Sequence, residues 1–124
     1  YSVYKVIQEY IGELPSNVIY LAHTSNIPAF ELYKRSSVSI SWCGTPGMES
    51  VLYQTPSIIL ANARYSKKGF TIDMDGLREL DDTLKNYLSK KRNPSEDCVN
   101  RARRYFYLHM CKMSVKTGLK TMGD

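Results

Sequence analysis

Long apolar runs are missing from this 124-residue chain. Its purely apolar stretches are only a few residues long, against the roughly 20 that a helix needs to cross a bilayer. No cleavable signal is visible, and the chain opens on Tyr1 rather than Met. The amino terminus therefore reads as a cut end, with any targeting segment expected upstream. Cysteine is scarce and odd in number: Cys43, Cys98 and Cys111 lack metal-type spacing and do not complete a disulfide framework. They are expected as reduced thiols packed like small apolar groups in a cytosolic protein. Internal repeats and low-complexity tracts are absent, and so are RRM, KH and helix-turn-helix signatures. The ten tyrosines are spread through every element. They point to packing rather than base stacking, and no nucleic-acid partner is expected.

What is present suits one soluble domain with one core, 1–124. Apolar residues make up 43% and charged residues 23%, too apolar a balance for disorder. The net charge of +5 is unevenly placed. Lys85, Lys90, Lys91, Arg92, Arg101, Arg103, Arg104, Lys112, Lys116 and Lys120 put most of the excess in the last third. Such a stripe serves nucleic acid, an anionic membrane surface or an acidic partner, or is simply a solvated helix face.

The pattern along the chain alternates. Val3, Val6, Ile7 and Tyr10 have helical spacing, and Gly12 ends that run. Asn17 to Leu21 is short, apolar and β-branched, and predicts a buried strand. Ala29 to Arg35 predicts a short helix, with Pro28 where a first turn tolerates it. Ser37 to Trp42 alternates small polar and apolar residues as a second strand does. Pro46 opens a helix to about Tyr53, Thr55-Pro56 stops it, and Ser57 to Leu60 is a third strand. This order predicts an α/β, three-layer, Rossmann-like parallel sheet covered by helices. Asn62 to Phe70 reads as a loop. Asp75 is a cap candidate for a helix carrying Leu77, Leu80, Leu84 and Leu88. After Asn93-Pro94, Ser95 caps a long carboxyl-terminal helix, about 95–116, that follows an α/β core of about 1–92.

Ligands of open parallel sheets sit outside the carboxyl ends of the strands. Three loops fall there: His23 to Asn26, Cys43 to Gly47, and Asn62 to Gly69. In the middle loop Gly44 and Gly47 allow close backbone approach. Thr45 can cap the helix that Pro46 begins, and free N–H groups at that terminus suit a phosphate. Glu49, one turn in, can accept hydrogen bonds from a pair of ribose hydroxyls. The same residues equally make an ordinary helix start, with Thr45 as cap, Pro46 at the first position and Glu49 favourable to the dipole. Arg64 can pair with a phosphate or stand as a surface arginine. His23 fits a hydrogen-bonded loop residue or a base or sugar contact. His109 reads as packing. Asp73 and Asp75 read as caps rather than metal ligands.

The stretch Ser41-Trp42-Cys43-Gly44-Thr45-Pro46-Gly47-Met48-Glu49-Ser50, continued through Thr55-Pro56 to Ser57-Ile58-Ile59-Leu60, resembles the donor segment of GT-B glycosyltransferases. It is closest to the capsule polysaccharide biosynthesis proteins, with their Ser-Thr-x-Gly-x-Glu, small-residue helix, Gly-x-Pro and apolar strand. Arg64 to Thr71 is similar to the Tyr-x-x-x-Gly stretch that follows. The resemblance covers about residues 15 to 75. Two positions depart from it: Gly44 stands where many relatives have Ser, and Thr55 where they have Gly or Lys.

The resemblance implies the donor-binding carboxyl-terminal half of a sugar transferase that builds bacterial capsular or other surface polysaccharide. Gly44, Thr45, Gly47 and Ser50 would line the donor's phosphate side, Glu49 would hold the ribose, and His23 and Arg64 would contribute contacts. The implied partners are a nucleotide-sugar donor, a glycan or lipid-linked acceptor and the amino-terminal half of the enzyme, with no bound metal and no cofactor. The reduced thiols suit a cytoplasmic location, and the late cluster Arg101, Arg103, Arg104, Tyr105 and Tyr107 suits packing with a mildly basic face or peripheral association at the inner face of the membrane. Two other readings stay open: the nucleotide-binding half of an epimerase or glycerophosphotransferase of the same fold, and a non-catalytic α/β interaction module with a basic tail.

Overall fold

The computed structural model describes residues 3–90 and 93–113. The first helix, α1 (Val3–Ile11), ends where expected. Gly12 sits at φ 81°, left-handed backbone that costs glycine nothing, and its N–H reaches the Gln8 carbonyl at 3.0 Å. Nothing on α1 is buried, although its apolar residues share one side.

The strand expected over Asn17 to Leu21 is not formed. The Val18 N–H closes a turn onto the Pro15 carbonyl, and Ile19 is 82% exposed. A β-branched run becomes a strand only when a neighbouring edge satisfies its backbone and covers its side chains, and here it has neither. Next comes α2 (Ala29–Arg35), with the predicted limits, after Pro28 at φ −65°.

The α/β centre forms as the pattern predicts. Its elements are β1 (Ser39–Ser41), α3 (Pro46–Leu52) and β2 (Ser57–Ile59). The two strands run parallel, with Ile40 opposite Ile58. An unforeseen strand, β3 (Ile72–Asp73), adds in parallel to the far side of β2, giving the order β1-β2-β3. Two residues are too few for alternation to show, and β3 exists because Ile58 and Ile59 offer an edge to pair with. The result is a mixed α/β fold whose parallel sheet has, among the described residues, three short strands.

Asp75 does not cap the next helix. A 3₁₀ turn (Leu77–Glu79) intervenes behind Gly76 before α4 (Leu80–Lys90), which buries no residue completely. Ser95 does cap α5 (Glu96–Phe106), its hydroxyl accepting the Cys98 N–H at 3.3 Å. The rod continues as a π-helical stretch through Tyr107–Lys112. The expected end near 114–116, with Lys91, Arg92, Lys116 and Lys120, lies outside the described residues. Among the described residues no helix is long and apolar enough to cross a membrane.

The core gathers around α3, whose Met48 and Val51 meet Ile59, Tyr65, Phe70 and Ala102 of α5. Removing Ile58, Ile59 and Val51 fully from water contributes about 1.5–3 kcal/mol each. Gly47 sets the spacing. A Cβ there would overlap Ile59 Cδ1 and Tyr65 Oη and stand 3.3 Å from Ser57 Oγ. The polar seam beside it is matched by small hydroxyls. Ser39 Oγ donates to Ser50 Oγ at 2.7 Å, and Ser50 Oγ donates to the Gly47 carbonyl at 3.1 Å. Ser57 Oγ is buried without a hydrogen-bond partner among the described residues.

These contacts set two substitutions apart in urea unfolding. Gly47→Ala should lose about 1–3 kcal/mol by overpacking, despite alanine's better helix propensity. Ser57→Ala, which removes an unpaired buried hydroxyl, should be neutral or stabilising. A neutral Gly47→Ala would show that α3 does not need its close approach to β2.

Candidate functional site at the carboxyl ends of the strands

Because β1 and β2 are parallel and in register, both deliver their following loops to one edge of the sheet. The two chains stay paired just past the strands, with the Leu60 N–H on the Ser41 carbonyl at 2.9 Å and the Ala61 N–H on the Trp42 carbonyl at 3.0 Å. Beyond that point they part around a cavity of about 360 Å³. Cys43, Gly44 and Thr45 form one wall, Ala63, Arg64 and Tyr65 the second, and Tyr105 and His109 of the carboxyl-terminal rod the third, above Met48. A smaller cavity of about 200 Å³ lies by Ser57, Phe70 and Cys98, and among the described residues its lining includes no charged side chain.

Tyr65 holds the two loops together. The residue is 4% exposed, and its hydroxyl donates to the Gly44 carbonyl at 2.6 Å. Gly44 is at φ 96°, a conformation that a residue with a Cβ resists. Burial pushes the Tyr65 phenol up to about 12, with Cys43, Asp73 and Glu49 adding to the effect, so it remains a donor at neutral pH. The loop behind Tyr65 is pinned by Asp73. One carboxylate oxygen accepts the Lys67 N–H at 2.6 Å and the other the Thr71 hydroxyl at 2.9 Å. Asp73 is therefore a loop anchor, where a cap had been expected.

The seven expected contact residues divide. Gly44, Thr45 and Arg64 meet at the cavity. Thr45 is not a side-chain cap: it lies in helical conformation at φ −68°, and its hydroxyl makes no capping bond. Gly47 and Ser50 are interior, committed to helix–sheet contact, and do not line the cavity. Glu49 turns instead to a neighbouring groove of about 320 Å³ with Phe30, Tyr33, Leu52 and Tyr53. There it accepts the Tyr33 hydroxyl at 3.4 Å, and burial together with this carboxylate raises the Tyr33 phenol. His23 sits in an exposed turn and lines neither space.

Comparison with protein-family models, curated proteins and solved structures finds no match. Geometry therefore supplies the chemical description. An exposed guanidinium, a close-approach glycine and an aromatic pair surround a mostly apolar space. His109 stacks on Tyr105, with ring centroids 5.6 Å apart at 24°. That arrangement fits a ligand with a negative end and a flat or apolar body. Among the described residues no group of three or more His, Cys, Asp or Glu is placed to hold a metal ion.

Cys43 and Tyr65 belong to loops expected at this edge without being singled out, whereas Tyr105 and His109, the latter expected only to pack, are additions from the rod. The spacing of Tyr105 and His109, one helical turn apart, shows that they share a side of the rod. No linear signal shows that this side faces Cys43.

Tyr65→Phe should cost about 1 kcal/mol through the lost Gly44 hydrogen bond. The folded state favours the protonated phenol, so that share of stability is complete below the ordinary tyrosine value of 10.0 and is lost as pH rises through about 12. Unfolding curves across this alkaline range should fall less steeply in Tyr65→Phe than in the parent chain. Parallel curves would mean that Tyr65 does not titrate this high.

Proposed function

We propose that this chain is the nucleotide-sugar-binding domain of a GT-B-type glycosyltransferase of surface polysaccharide synthesis, its sheet part of a Rossmann-like fold. The observation that carries the proposal is the position of the 360 Å³ cavity, outside the carboxyl ends of two adjacent parallel strands. Its volume suits a nucleotide-sized ligand. Two of its walls, Cys43 to Thr45 and Ala63 to Tyr65, also fall within the segment that resembles donor sites.

In this reading Arg64 pairs with the donor's phosphate, and the Gly44 backbone lies close against it. The Tyr105–His109 stack offers an aromatic wall to the body of the nucleotide. Transfer is a displacement at the anomeric carbon. An acceptor oxygen bonds to that carbon as the bond to the nucleotide's phosphate oxygen breaks, and Arg64 stabilises the charge left on the nucleotide. Acceptor and general base belong to the amino-terminal half, so this domain alone binds the donor without turning it over. Such an enzyme meets its donor in the cytoplasm. Glu49 lines the adjoining groove, so it reaches a ribose only if the nucleoside extends across the start of α3.

An amide NMR titration with CMP, UDP and GDP tests the reading. One nucleotide should shift Gly44 to Met48 together with Ala63 to Tyr65. Arg64→Ala should weaken it about tenfold or more, the worth of a charge-assisted hydrogen bond. A weaker complex in Glu49→Ala would place the nucleoside over α3, and an unchanged one would confine it to the cavity. Absence of shifts at millimolar nucleotide refutes the proposal.

A further inference from the structure

The rod formed by α5 and its π-helical continuation has two working sides. Val99, Ala102, Tyr105, Phe106 and His109 turn inward to the core and the cavity. The opposite side carries Arg103, Arg104, Tyr107, Leu108 and Lys112, all exposed. From Cys98 to Met113 the sequence contains no Asp or Glu. The ion pair found on this rod is Arg101 with Asp97 at 2.7 Å, in its first turns. The basic charge beyond it is uncompensated by neighbours on the rod. It is also mixed with apolar surface: Tyr107 is 51% exposed, Leu108 54% and Met113 72%. The Lys112 ammonium lies 5.5 Å above the Tyr107 ring, so cation and aromatic ring already share one patch.

We infer that this outer side of the rod docks on an anionic bilayer surface. Cationic charge alone suits a nucleic acid, a membrane or an acidic protein equally well. Exposed Leu108 and Met113, interleaved with Arg104 and Lys112, favour the membrane. A helix in the interfacial plane sets aliphatic and aromatic side chains at the acyl boundary and basic ones among the phosphates. A phosphodiester backbone offers such aliphatics nothing. The docked rod would hold the cavity about one helix diameter, roughly 10–12 Å, from the headgroups. This inference stands on a different side of the rod from the nucleotide reading and does not rest on it.

Co-sedimentation of the chain with vesicles tests it, using phosphatidylcholine alone and phosphatidylcholine mixed with phosphatidylglycerol. The parent chain should pellet with the mixed vesicles, less so at high salt, and remain in solution with phosphatidylcholine alone. Each basic residue near an anionic surface is worth roughly fivefold in affinity. The triple substitution Arg103→Ala, Arg104→Ala, Lys112→Ala should therefore weaken binding on the order of 100-fold. Leu108→Ser, which keeps every charge, should weaken it about tenfold. Circular dichroism of each variant checks that the helices persist. Failure of the parent chain to pellet overturns the inference, as does a triple variant that pellets equally well. Full binding by Leu108→Ser overturns it too, since that marks a charge-only surface of the kind nucleic acid uses. The amide shifts around Gly44 and Arg64 are read separately, so either idea can fail alone.

Discussion

The close approach of α3 to β2 at Gly47 is the contact on which the rest of the molecule depends. The missing Cβ leaves room for Ile59 from below and the Tyr65 hydroxyl from the side. With Tyr65 admitted, its hydroxyl reaches the Gly44 carbonyl, and the loop after β1 is tied to the loop after β2. The same ring stacks on Phe70, with centroids 5.8 Å apart, and meets Tyr105 edge-on at 6.3 Å. One absent methyl group thus organises the core and the mouth of the cavity together. Packing of this density transmits small displacements, so core and cavity cannot vary independently.

The carboxyl-terminal rod extends that economy. Its inner side closes the core through Val99 and Ala102 and supplies the third wall of the cavity through Tyr105 and His109. Its outer side is free of those duties and carries basic and apolar residues together. A helix can divide its labour in this way because residues three and four apart share a side while their immediate neighbours do not. The amino-terminal segment is the counter-example. α1 has an apolar side and buries nothing, and Val18 to Leu21 has strand chemistry with no edge to join.

The small and charged residues around Pro46 divide between the loops and the helix. Gly44, Thr45 and Arg64 come together at one space. Gly47 and Ser50 have interior work, as a glycine and a serine in a tightly packed βαβ unit often do. Glu49 faces an aromatic groove with Tyr33. A motif of small residues at the start of a helix is thus two patterns overlaid, one for ligand approach and one for helix–sheet contact. Spacing alone does not divide them, since both need the same small side chains.

Local chemistry legible in the chain determined α1 with its Gly12 stop, α2 with its exact predicted span, the β1-α3-β2 order and the Ser95 cap. Each depends on neighbours a few residues apart: a left-handed glycine, a fixed proline φ, a run of β-branched side chains, a hydroxyl within reach of an N–H. Tertiary structure alone decided that Asn17 to Leu21 is no strand and that Ile72–Asp73 is one. Strand formation needs a partner edge, and edges are assembled from distant parts of the chain. It also decided which of the small and charged residues near Pro46 meet the cavity, and that Tyr65, Tyr105 and His109 join them. The Tyr65 hydrogen bond spans 21 residues, and the Tyr105 and His109 wall lies some forty residues further on. At those distances only a formed core holds the groups in place.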